Sequence, residues 1–143
     1  DAEIIAMAGE GLRAAGLDTG QAVVRVSNRK LFDGLFDAGG VTDPAQRLTA
    51  LRAVDKYDRL GWEGVQALLG EGRLDDSGDY TKGARLPADA IKAIGQFLMF
   101  HQADDSRSAT IDRLADSGLL GVIGEQALTE LAAIDRALRS FAG

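Results

Sequence analysis

The 143-residue chain contains no cysteine, one histidine, two prolines and one tryptophan. Without thiols it has no disulfides, no thiolate zinc site and no cysteine nucleophile. A single histidine, His101, excludes a histidine-rich metal site as well. Long apolar runs are also missing. The longest are a few residues, far short of the roughly 20 that a membrane-spanning helix needs. The acidic opening Asp1-Ala2-Glu3 lacks the basic start and apolar core of a secretory signal. These absences fit a cytoplasmic chain that meets no membrane. Excess positive charge is lacking too: 16 basic against 22 acidic groups leave a net charge of −6, which argues against a general nucleic-acid coat. The deficit is uneven, however. Residues 41–69 are neutral, while 101–143 are the most acidic quarter, so a local basic face is expected between Arg47 and Arg59.

What is present is mostly helical periodicity. Ile4, Ile5, Ala8 and Leu12 define a helix from about Ala2 to Ala15, stopped by Gly16. The β-branched run Ala22-Val23-Val24-Arg25-Val26 reads as a strand, and Asn28 caps a helix carrying Leu31, Phe32, Leu35 and Phe36 up to Gly39-Gly40. From there the pattern is all α. Asp43-Pro44 supplies a cap and an N1 proline, with Leu48, Leu51 and Val54 on one face. Gly61 interrupts before Trp62, Val65, Leu68 and Leu69. Gly70 to Arg85, rich in Gly, Asp and Ser, reads as an exposed loop. Leu86-Pro87 opens a helix with Ile91, Ile94, Phe97 and Leu98 inward. A short helix around 108–115 and a last one from about Glu125 to Ser140 follow, the latter with Leu128, Leu131, Ile134 and Leu138 as its stripe. The expected fold is mainly α. A single strand leaves its backbone donors and acceptors without neighbours, which points to a piece of something larger.

Few residues carry chemistry. His101 stands near Asp104 and Asp105, an arrangement compatible with acid–base work, but nothing else converges on it and a helix-terminal surface histidine is the plainer reading. Asp75-Asp76-Ser77-Gly78-Asp79 lacks the spaced ligands and closing glutamate of a calcium loop. Gly9 and Gly11 lie within a helix, not after a strand, so they are no dinucleotide fingerprint. Arg52, Lys56 and Arg59, at offsets of 4 and 3, would share one face of a continuous helix and contact successive phosphates. The alternative is a solvated face neutralised by Asp55, paired to Arg59, and by Asp58. Tyr57 and Trp62 have rings that stack on bases, although their helical spacing among leucines favours packing.

Five phrases in order carry a family resemblance: Asp1-Ala2-Glu3-Ile4-Ile5; Val24-Arg25-Val26-Ser27-Asn28-Arg29-Lys30; Leu31-Phe32-Asp33-Gly34-Leu35-Phe36; Gly40-Val41; and Ala53-Val54-Asp55-Lys56-Tyr57-Asp58-Arg59-Leu60-Gly61-Trp62-Glu63-Gly64-Val65. The succession resembles histidyl-tRNA synthetases of the eukaryote-like class II branch that some bacteria carry. The stretch Gly72 to Ala84 looks like a bacterial version of the same branch, and the likeness covers roughly residues 1–100. The resemblance implies an internal fragment: residues 1–40 as a helix–strand–helix piece of the class II catalytic sheet, and residues 41–143 as the helical insertion domain. It implies a parent that activates histidine with ATP and magnesium and transfers it to tRNA from a histidyl-adenylate. The insertion would cover the active site and contact the tRNA acceptor arm, with Arg52, Lys56 and Arg59 as candidate contacts. The rest of the catalytic domain, and a second subunit in a homodimer, would be further partners. The family's motif 2 arginine, its Arg-Gly-Leu-Asp-Tyr-Tyr phrase and its motif 3 do not occur here. No catalytic, cofactor or metal residue is therefore assigned, and the chain alone is expected to be inactive. A regulatory pseudo-synthetase and a helical protein-interaction domain without tRNA binding are the competing readings.

Overall fold

A computed structural model describes residues 1–100 and 106–141 of the chain. Among these residues the elements are α1 (Ala2–Ala14), α2 (Lys30–Ala38), α3 (Pro44–Val54), α4 (Tyr57–Leu69), β1 (Gly72–Leu74), β2 (Tyr80–Lys82), α5 (Ala88–Met99), α6 (Arg107–Asp116) and α7 (Gly121–Phe141). The expected mainly helical class is what forms. His101, Asp104 and Asp105 lie outside the described residues.

Local chemistry sets most boundaries. Asp43 caps α3 by accepting the Ala45 amide at 3.0 Å, with Pro44 in the first turn. Ser106 does the same for α6 through Ala109 at 3.3 Å. Asn28 Oδ1 accepts the Lys30 amide at 3.1 Å at the start of α2, and Gly40 leaves its end at φ 70°.

The core is built around α2. Leu31, Leu35 and Phe36 are buried with Val65, Leu68 and Leu69 of α4, Ala90 and Ile94 of α5, and Leu120 and Leu128 from the α7 region. The most extensive helix pairing is α2 with α7. It is close because Gly34 lacks a Cβ, which would otherwise run into the Leu120 carbonyl and the Gly124 backbone. Phe32 meets Phe97 of α5 edge-on at 5.2 Å between ring centroids. Asn28 and Lys30 both reach Glu130 of α7, whose carboxyl lies below its usual range because Lys30, then Asn28, hydrogen-bonds it.

Three expectations are corrected. Residues 22–26 do not form a strand: Ala22 makes one isolated bridge with Thr19, and 23–28 have no regular structure. Among the described residues no adjacent strand takes up their backbone groups, and Val23 is 77% exposed. The presumed loop at 70–85 contains an antiparallel hairpin, with Leu74 opposite Tyr80 and Gly72 opposite Lys82. Asp75 closes its tip by accepting from Ser77 N (3.0 Å), Ser77 Oγ (2.6 Å) and Asp79 N (2.9 Å). The chain leaving the hairpin then donates amides from Ala84, Arg85 and Leu86 to the Leu68, Gly70 and Leu69 carbonyls. It thereby satisfies the orphan acceptors at the end of α4. Gln46 of α3 holds this return through the Ala84 and Arg85 carbonyls, both at 3.1 Å, with Arg85 at φ 54°. Finally, of the expected α3 face Leu51 and Val54 pack against the core beside buried Ala50 and Ala53, while Leu48 is 48% exposed.

Candidate nucleic-acid interface

The α3–α4 junction carries the candidate cations. Arg52 stands in the last turn of α3, where a cation also complements the negative end of the helix dipole. The helix ends at Asp55, and Lys56 (φ −90°, ψ 3°) is the N-cap of α4, with Arg59 in its first turns. The sequence-based row on one continuous helix is therefore corrected. The three cations belong to a helix end, a junction and a helix start.

Among the described residues no carboxylate forms an ion pair with Arg52, Lys56 or Arg59, and the expected Asp55–Arg59 pair is not formed. Arg52 and Arg59 are exposed and Lys56 is half-buried. Arg47 behaves differently. Its guanidinium is bound to Asp37, lies 3.8 Å from Asp33, donates to the Val41 carbonyl at 2.8 Å and sits over the Phe36 ring at 5.5 Å. Arg47 thus fastens α3 to α2 and leaves the basic face to the other three.

Beyond Arg59, Gly61 (φ 66°, ψ −177°) breaks α4, as its place in the sequence suggests, and the helix resumes at Trp62. Val65, Leu68 and Leu69 point to the core. Trp62 and Gln66 instead line an open groove of about 350 Å³ between α4 and α5, whose opposite wall includes Ile91, Lys92, Gln96 and Met99. Gly95 is the floor: a Cβ there would lie 2.6 Å from Cζ2 of the Trp62 ring. Trp62 is half-buried, packed on the core along one side and open to the groove along the other. Sequence reasoning identified Trp62 and missed its partners. The signal was a glycine inside the α5 pattern, four residues before Met99 and three after Lys92.

A second concavity of about 230 Å³ lies between α6 and α7. Buried Asp135 accepts from Arg139 (2.6 and 2.9 Å) and Arg107 (2.7 Å), and these bonds, Arg139 first, hold its carboxyl below the ordinary carboxylate range. Among the described residues no group of three His, Cys, Asp or Glu side chains converges as a metal site. The carboxyl of Asp75 is likewise low, chiefly through the Ser77 hydroxyl, and is engaged in closing its own turn. No described helix is long and apolar enough to cross a membrane.

The site that the structure offers is thus a basic junction whose cations form no ion pairs among the described residues, beside an open groove walled by Trp62. Comparison with known proteins shows what the chain is similar to. The chain is 54% identical to the histidine–tRNA ligase of Caulobacter vibrioides, over 99% of this chain and 28% of that protein. It is 41% identical to the histidine–tRNA ligase of Brucella ovis over 94% of this chain, and 42% identical to that of Cereibacter sphaeroides over 92%; each match again spans 28% of the relative. The chain is thus homologous to a segment of histidine–tRNA ligases and spans a little over a quarter of the length of these relatives. No family model and no solved structure matches it.

Proposed function

We propose that the chain is part of a class II histidine–tRNA ligase and contributes a helical surface that meets the tRNA acceptor arm through Arg52, Lys56 and Arg59. The observation that carries the reading is the lack of any ion-pair partner for these three cations among the described residues, in a chain whose net charge is −6. Cations without carboxylate partners remain available to phosphates, and such contacts position a nucleic acid without reading its sequence. The relatives' names support tRNA as the substrate.

In this reading the parent is a cytoplasmic homodimer that forms histidyl-adenylate from histidine and ATP with magnesium, using residues outside this chain. No residue of this chain is assigned to ATP or magnesium in this reading. Residues 1–40 belong with the parent's catalytic sheet, and 41–143 form the insertion that covers its active site. The exposed apolar residues Ile4, Met7, Val23, Val24 and Val26 support the first assignment, because they suit a surface that the rest of the catalytic domain covers.

The test is the salt dependence of binding to an RNA duplex that mimics the acceptor arm. Affinity is expected to fall steeply with salt through counterion release. Reversing both Arg52→Glu and Lys56→Glu is expected to weaken binding and to reduce the log–log salt slope by about two, roughly one per lost phosphate contact. An unchanged slope in the double variant would mean that these residues form an ordinary solvated face.

A further inference from the structure

We propose that the groove between α4 and α5 takes up one unpaired base of the RNA, stacked on Trp62, while Lys92 at the rim meets the adjoining phosphate. The inference rests on the RNA-binding reading above and adds a site for single-stranded nucleotide to it.

Charge complementarity selects the occupant. None of the described residues lining the groove is acidic, and the one charged residue among them is Lys92, although acidic groups outnumber basic ones in the chain. The groove also stands close in sequence to the basic junction. Trp62 follows Arg59 by three residues, just past the break at Gly61, so the groove wall begins in the sequence directly after the last of the unpaired cations.

The groove's chemistry suits a base. At about 350 Å³ it lies at the small end of the roughly 300–1,000 Å³ typical of ligand pockets. Ile91 and the bare backbone of Gly95 give an apolar floor, and Trp62 gives an aromatic wall. Gln66 and Gln96 each offer both a donor and an acceptor to the edge of a base. Stacking accepts any base, because each has a π-face. Gln66 is exposed beside the stripe of Val65, Leu68 and Leu69 that anchors α4, while Trp62 packs on the core with one side and leaves the other to the groove.

Trp62 is the sole tryptophan, so intrinsic emission reports this groove alone. The experiment titrates the chain with two RNAs, a blunt duplex and the same duplex with a short unpaired 3′ tail. Both are expected to bind with steep salt dependence. The tailed RNA alone is expected to quench Trp62 emission and to bind about tenfold more tightly, the order expected for one stacked base. Met99→Glu, at an exposed rim position, is expected to bring the ratio of tailed to blunt affinity close to one, with the helical circular dichroism unchanged. Equal, unquenched binding of the two RNAs would overturn the groove while leaving the basic junction standing. Binding of neither would overturn both. Emission that changes with protein concentration and not with RNA would assign the groove to a second copy of the chain, and the proposal would fall.

Discussion

Two glycines separate tight packing from mere flexibility. Gly34 of α2 faces the Leu120 carbonyl and the backbone of Gly124 across the α2–α7 crossing, both too close for an added methyl group. Gly34→Ala is expected to force the helices apart and cost roughly 1–3 kcal/mol, as overpacking of a filled interior does. Gly11 lies in α1 with nothing within 4 Å of the corresponding position. There Gly11→Ala removes only backbone freedom and is expected to stabilise the helix by up to about 1 kcal/mol. Thermal melts of the two variants should move in opposite directions. If Gly34→Ala melts no lower than the unaltered chain, α2 and α7 are not in the contact described. The same residue scale separates Arg47 from Arg52, Lys56 and Arg59. Spacing already set Arg47 apart from the other three, and the position of Asp37, Asp33 and Phe36 in space makes it a structural clamp.

At the scale of elements, α6 is held to α7 through Leu114, Leu128 and the Asp135 clamp. Asp135 is the one buried charged residue among those described, and Arg107 and Arg139 reach it from the two helices. Because its folded-state pKa is lowered, the clamp contributes stability that is present above the ordinary carboxylate value near 4. That stability is lost as pH falls further, through the lowered value. The difference in melting temperature between the chain and Asp135→Asn is therefore expected to be constant from neutral pH down to about 5 and to shrink below about 4. A difference that instead grows on acidification would contradict the sign of the shift.

Which elements were legible in the sequence follows from where their stabilising partners lie. The caps at Asp43, the break at Gly61 and the apolar stripes of α5 and α7 depend on neighbours within a few positions, so composition and spacing reveal them. The hairpin at 72–82 depends on cross-strand pairing and on the Asp75 turn, which a Gly- and Asp-rich composition hides. Residues 22–26 fail in the opposite sense. Their β-branched composition favours a strand, but composition supplies no partner. Of the candidate site, the cations were visible by charge alone. The groove required Trp62 and Gly95, 33 positions apart, to be brought together.

For the whole molecule, burial is distributed unequally. Of the largest fully buried side chains, Leu35 and Phe36 lie on α2, Val65 and Leu69 on α4 and Ile94 on α5, with Val41 between α2 and α3 and Leu120 just before α7. By contrast α1 buries none of its residues and packs mainly on α7, and 23–27 are exposed throughout. Local opening is least costly where few apolar contacts and many solvent-exposed backbone groups coincide. Hydrogen exchange is therefore expected to be fast in α1 and 22–27 and slowest in α2 and in the buried turns of α5 and α7. The valines at 23, 24 and 26 add a second consequence. Their backbone groups are unpaired and their side chains apolar, and unpaired extended segments recruit strands from other chains. Raising the protein concentration is expected to slow exchange at 22–27 selectively, as copies pair through this segment, while exchange in α2 stays constant. Strong protection of 22–27 at every concentration in a demonstrated monomer would show that the segment already has a strand partner within the chain, contrary to the packing described.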